Sequence, residues 1–83
     1  MEKETINEKI ERMKAKAELF LLKDIKVFIV DTYDNWYFCD ILLVGEDYLF
    51  VKHFTGKKRL EKERILWFDI IKLEEYREKN ETS

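Results

Sequence analysis

Three apolar runs lie between Ile25 and Phe54, separated only by Thr32–Asn35 and Gly45–Asp47. Each run is rich in Val, Ile, Phe, Tyr and Trp, side chains that suit a pleated, half-buried surface. Breaks that short leave room only for hairpin turns, so the runs are expected to pair as an antiparallel meander. This stretch restricts the chain to a sheet-centred fold, with everything before and after it arranged around that sheet.

Ahead of the sheet, Thr5-Ile6-Asn7-Glu8 has the form of a capping box, with Asn7 as the other candidate cap. Ile6, Ile10, Met13, Ala17, Phe20 and Leu21 then recur at steps of three and four. That stripe predicts an amphipathic helix over about 7–22 whose apolar face packs on the sheet. A helix docking on a partner or a membrane surface is the alternative, and a polar face of mixed sign argues against anionic lipid. Glu8 with Arg12, and Lys14 with Glu18, are spaced to pair along it.

The strands are expected at 25–31, 36–44, 48–54, 64–68 and 70–73, with a tight helical turn at Trp67-Phe68-Asp69 and a polar loop over Thr55–Glu63. Strand two is apolar on both faces except at Asp40, which predicts a strand curled into a barrel or covered on both sides. Gly45 is available for a positive φ or a bulge. The fold class that follows is mostly β: one domain over 1–83, an N-terminal α-helix followed by a five-stranded antiparallel small barrel, then a charged tail over 74–83. Closure would leave few strand edges exposed.

Order of elements and apolar spacing resemble the Sm-like family, which includes archaeal Sm-like proteins and the Hfq-type bacterial RNA chaperones. The likeness runs from about Asn7 to Leu73. It rests on the helix, Val27-x-Ile29, Ile41-x-x-Val44-Gly45, Tyr48-x-Phe50-Val51, and the short strands around Ile65-Leu66 and Ile71. The resemblance implies an Sm-like or SH3-like small barrel and a ring-forming tendency through edge strands. The family's recognition residues are absent: Cys39 stands where the strand-two glycine would be, and Gly45 where an Asp would be. Leu49 stands at the place of the uracil-contacting Asn, and Trp67-Phe68 at that of the Arg-Gly pair. Leucine offers a base edge no hydrogen bond, so Sm-type uracil recognition does not carry over.

Charge and cysteine narrow the function classes. The net charge is -2, but 24–54 sums to -4 and 55–64 to +3. A phosphate-coating duplex DNA binder needs a clear basic excess, so duplex DNA is not expected as a partner. A single cysteine, Cys39, excludes an internal disulfide and a thiolate zinc cluster, which fits a cytoplasmic setting. The charged opening lacks an apolar signal core, and no apolar run approaches the roughly 20 residues that span a bilayer. Asn80-Glu81-Thr82 matches a glycosylation acceptor by chance on this reading. Lys and Glu dominate and Gln and Pro are absent, a bias of the kind found in hyperthermophile proteins.

No phosphate-binding glycine loop, metal-spaced cluster or Ser/His/Asp set occurs, so no catalytic residue, metal or cofactor is expected. Cys39 reads as a small hydrophobe. Asp31, Asp34 and Asp47 fall at turns, whereas Asp40 within an apolar strand needs a basic partner from a neighbouring strand or subunit. Lys57, Lys58 and Arg59, with His53 nearby, are the candidate nucleic-acid contacts, and Tyr33, Trp36, Tyr37 and Phe54 supply stacking surface. Twelve aromatics exceed what one small barrel encloses, so some must form an exposed interface, with Trp36, Tyr37 and Trp67 the candidates. The expected function is a non-enzymatic oligomerising or interaction module, self-associating as a homo-oligomer. The alternative is a single-stranded RNA-binding protein using the 57–59 loop.

Overall fold

A computed structural model describes residues 4–77. Helix α1 (Ile6–Leu22) precedes strands β1 (Val27–Asp31), β2 (Trp36–Val44), β3 (Tyr48–His53), β4 (Lys62–Leu66) and β5 (Ile70–Glu75). A single 3-10 turn, Trp67–Asp69, joins the last two, where a tight helical turn was expected. The five strands form one antiparallel sheet in the order β4-β3-β2-β1-β5. The chance glycosylation pattern at Asn80 and the outer part of the charged tail lie outside the described residues.

The capping box forms as the sequence implies. Thr5 accepts from the Glu8 backbone N–H and the Glu8 carboxylate accepts from the Thr5 N–H. Because Glu8 is engaged there, Arg12 turns to Glu4 instead and pairs with both of its oxygens at 2.9 Å. Lys14 likewise pairs with Glu11 at 3.6 Å rather than with Glu18. Along the apolar stripe Met13, Ala17 and Phe20 are buried, Ile10 is half-buried, and Ile6 and Leu21 are exposed. The helix therefore packs through its middle and overhangs the sheet at its first turn.

The expected closure is not what forms. Strands β4 and β5 stand at opposite ends of the strand order and are not paired with each other. The open side is sealed by side chains: Met13, Ala17 and Phe20 of α1 and the Trp67 indole join Val27, Ile29, Cys39, Ile41, Leu49, Val51, Ile65, Ile70 and Leu73 in one core. Burial of each large aliphatic or aromatic group there contributes about 1.5–3 kcal/mol, so a helix and one indole replace a ladder of hydrogen bonds.

Several bounds differ from the expected ones: β1 begins at Val27, β3 ends at His53, β4 ends at Leu66, and β5 runs on to Glu75, into the stretch expected as tail. Strand β4 begins at Lys62 because Glu63 turns inward to His53, which hides a strand behind charged residues. The irregularity in β2 falls between Ile41 and Leu43, not at Gly45. Gly45 instead allows close approach: a Cβ there would meet the Tyr48 carbonyl oxygen at 2.9 Å. The left-handed glycine is Gly56, at φ 79°.

Candidate nucleic-acid interface

Alternation along the strands divides the sheet into a core face and an outer face. Val27, Ile29, Tyr37, Cys39, Leu49, Val51 and His53 turn inward. Phe28, Trp36, Phe38, Lys52 and Phe54 turn outward, because Phe28 faces Phe38 and Val30 faces Trp36 across the β1–β2 ladder. This hairpin register is fixed by the turn between the strands. Asp31 is buried and its carboxylate accepts from the Tyr33 N–H, the Asn35 N–H, the Asn35 side-chain amide and the Tyr37 hydroxyl, the last at 2.6 Å. Burial alone would raise its pKa, but those hydrogen bonds outweigh it and hold the carboxyl below its ordinary value. Asp34 takes the left-handed backbone conformation of the turn, at φ 69°.

Five outward rings make one continuous path outside the core. Phe28 stacks on Trp36 with centroids 5.5 Å apart and planes 10° from parallel. Trp36 neighbours Phe38 at 6.4 Å, Phe38 meets Tyr76 edge-on at 5.7 Å, and Tyr76 meets Phe54 at 5.3 Å. Among the described residues no helix or strand covers this face, and Trp36 is 58% exposed. Strand β2 is thus apolar on both faces with only its inner face covered.

Lysines border the rings on two sides. Lys26, Asp40, Lys52 and Lys62 form a row across β1 to β4, with Asp40 opposite Lys52 and Lys52 opposite Lys62. Lys26 supplies the partner that Asp40 needed, at 3.1 and 3.3 Å from its two oxygens, and its ammonium lies 4.8 Å from the centroid of the Phe54 ring. On the other side the 55–61 loop brings Lys57 and Lys58 to an open cleft of about 370 Å³. Asn35, Trp36, Tyr37, Phe38, His53 and Thr55 complete its walls.

The cleft unites most of the candidates read from the sequence: Lys57, Lys58, His53, Trp36 and Tyr37. Arg59 stays on the loop away from it. Trp67 is not one of the exposed rings, since it is 2% exposed and its indole N–H donates to the Gly45 carbonyl at 3.0 Å. An indole in the core requires such an acceptor, and the tight turn at Gly45 provides it. His53 is buried as a wall of the cleft, with Nε2 2.8 Å from Glu63 Oε1 and its ring 5.6 Å from that of Tyr37. Tyr37 points inward and keeps its proton, because burial and its bond to Asp31 both raise its pKa. Cys39 faces His53 across the β2–β3 ladder, yet burial, followed by the nearby Asp40 and Glu63 charges, pushes its thiol up to about 12. A thiol so placed keeps its proton at neutral pH, the weakly reactive form. Among the described residues, no three His, Cys, Asp or Glu side chains gather as a cation-binding group, and no helix is long and apolar enough to cross a membrane.

Phe28, Phe38 and Tyr76 were not among the expected surface residues. Alternation combined with the hairpin register would have placed Phe28 and Phe38 beside Trp36. Tyr76 carried no such signal, being read as part of the charged tail. Comparison with protein-family models, with curated proteins and with solved structures found no match.

Proposed function

We propose that this protein is a non-enzymatic interaction module of Sm-like fold that takes single-stranded RNA on the outer face of its sheet. The observation that supports this is the path of five outward rings, half-buried except for the exposed Trp36, bordered by Lys26, Lys52 and Lys62 on one side and by Lys57 and Lys58 on the other. Unpaired bases stack on aromatic faces for about 1–3 kcal/mol each, while lysines neutralise the backbone between them. A duplex hides its base faces and needs more basic charge than a chain of net -2 offers. The Sm-like part of the reading rests on the order of helix, strands and short turn. RNA recognition rests on this chain's own rings and lysines, not on family residues that it lacks.

The test is fluorescence anisotropy of a labelled single-stranded RNA over a salt series, beside a duplex of the same sequence. Single-strand binding that weakens with salt is expected, with a slope of about -0.7 per phosphate neutralised. Trp36→Ala should weaken binding roughly ten-fold, the loss of one stacked base, and Lys57→Glu with Lys58→Glu should abolish it. Binding that ignores all three substitutions, or no binding at low salt, overturns the reading.

A further inference from the structure

Self-association, expected from the aromatic surplus and the strand edges, fits a different face of the molecule. Here α1 overhangs the sheet beside the 3-10 turn, and Ile6 and Phe68 are 59% and 67% exposed. Both line a small apolar cleft with Ile10, Met13, Trp67 and Ile70. Two further depressions continue this cleft in opposite directions. One shares Lys9 and Met13 with it and is lined by Arg12, Lys16 and Lys72, with Glu74. The other shares Ile10, Trp67 and Phe68 with it and is lined by Glu11, Glu46 and Asp47, with Lys14.

The helix explains the polarity. Residues 9, 12 and 16 lie along one side of the apolar stripe, and 7, 11 and 14 along the other. Strand β5 then adds Lys72 to the basic flank, and the turn after β2 adds Glu46 and Asp47 to the acidic one. Arg12 and Lys16 are already bound to Glu4 and Glu74. Among the described residues Lys9, Lys72, Glu46 and Asp47 form no ion pair, so these four charges are available to a partner.

A face with an apolar centre, one basic flank and one acidic flank is complementary to itself after a half-turn. Rotation about an axis through Phe68 sets Phe68 and Ile6 against their copies, and Lys9 and Lys72 of each chain against Glu46 and Asp47 of the other. We propose that this face is the interface of a two-fold homodimer. An unrelated partner would need both flanks matched in reversed order, whereas a second copy supplies that order automatically. The dimer leaves the ring path on the outer sheet face uncovered.

The experiment is sedimentation equilibrium of the full chain over a wide concentration range, with circular dichroism of every variant as a check of folding. Wild type should reach twice the 10.2 kDa mass of one chain. Phe68→Glu should give folded monomer. Lys9→Glu with Lys72→Glu should weaken the dimer at least ten-fold, and adding Glu46→Lys with Asp47→Lys to that same chain should restore it. This charge exchange keeps the test decisive even if Phe68→Glu unfolds. A wild type that stays monomeric overturns the proposal. So does a larger assembly indifferent to Phe68 and to the charge exchange, the result expected if copies join through the β4 and β5 edges.

Discussion

The Asp31 carboxylate is held by four donors on the turn that presents Asn35, Trp36 and Tyr37 to the cleft. Asn at this position keeps the shape but sets an amide N–H against one of those donors. We expect Asp31→Asn to lose about 1–3 kcal/mol, the cost of leaving buried polar groups unsatisfied. The sign of its pH dependence follows from the lowered folded-state pKa. Such a carboxylate stabilises fully above its unfolded value of about 3.9, and that contribution is lost as pH falls through the folded value. Urea midpoints measured from neutral pH down to about pH 2 should therefore fall less steeply for Asp31→Asn than for wild type. An Asp at a turn was legible from the sequence. Its four donors were not, because Tyr37 is six residues on, in the next strand, and its inward direction depends on the hairpin register.

Among the elements, α1 and the β1–β3 meander were legible because their signals are local: a capping box, a stripe at helical spacing, and β-formers between short polar breaks. Strand β4 was displaced because Glu63 reads as loop until His53 is known to face it. Trp67 was assigned to the surface because an aromatic surplus says that some rings are outside without saying which. Two rings with the same propensity, Trp36 and Trp67, end on opposite sides of the protein surface through strand parity and one carbonyl acceptor. That acceptor sits on a turn where the backbone at Gly45 closely approaches the Tyr48 carbonyl. We expect Gly45→Ala to cost about 1–3 kcal/mol, as overpacking does, since the new methyl meets backbone rather than a flexible side-chain end. Thermal unfolding of the variant measures this. An unchanged midpoint would mean that the turn relaxes freely.

For the whole molecule, the decisive difference from expectation is the open sheet. A closed barrel was inferred because strands so apolar need cover, but α1 and Trp67 provide that cover on the core side, and among the described residues no further element lies on the outer face. Two rims therefore remain, one on β4 and one on β5, while β1, β2 and β3 have neighbours on both sides. Hydrogen exchange should rank the amides accordingly. Ladder amides of β1–β3 should be slowest, and outward amides of β4 and β5 fastest, since only the former need global unfolding to open. Uniform protection of β5 would show that its rim is occupied in solution. The placement of the two indoles has a practical consequence as well. Trp67, sealed in the core, should emit at shorter wavelength than Trp36, which is wetted on the outer sheet. The blue side of the emission should therefore follow unfolding, and the red side should dim on added single-stranded RNA if, as proposed, a base settles on the rings.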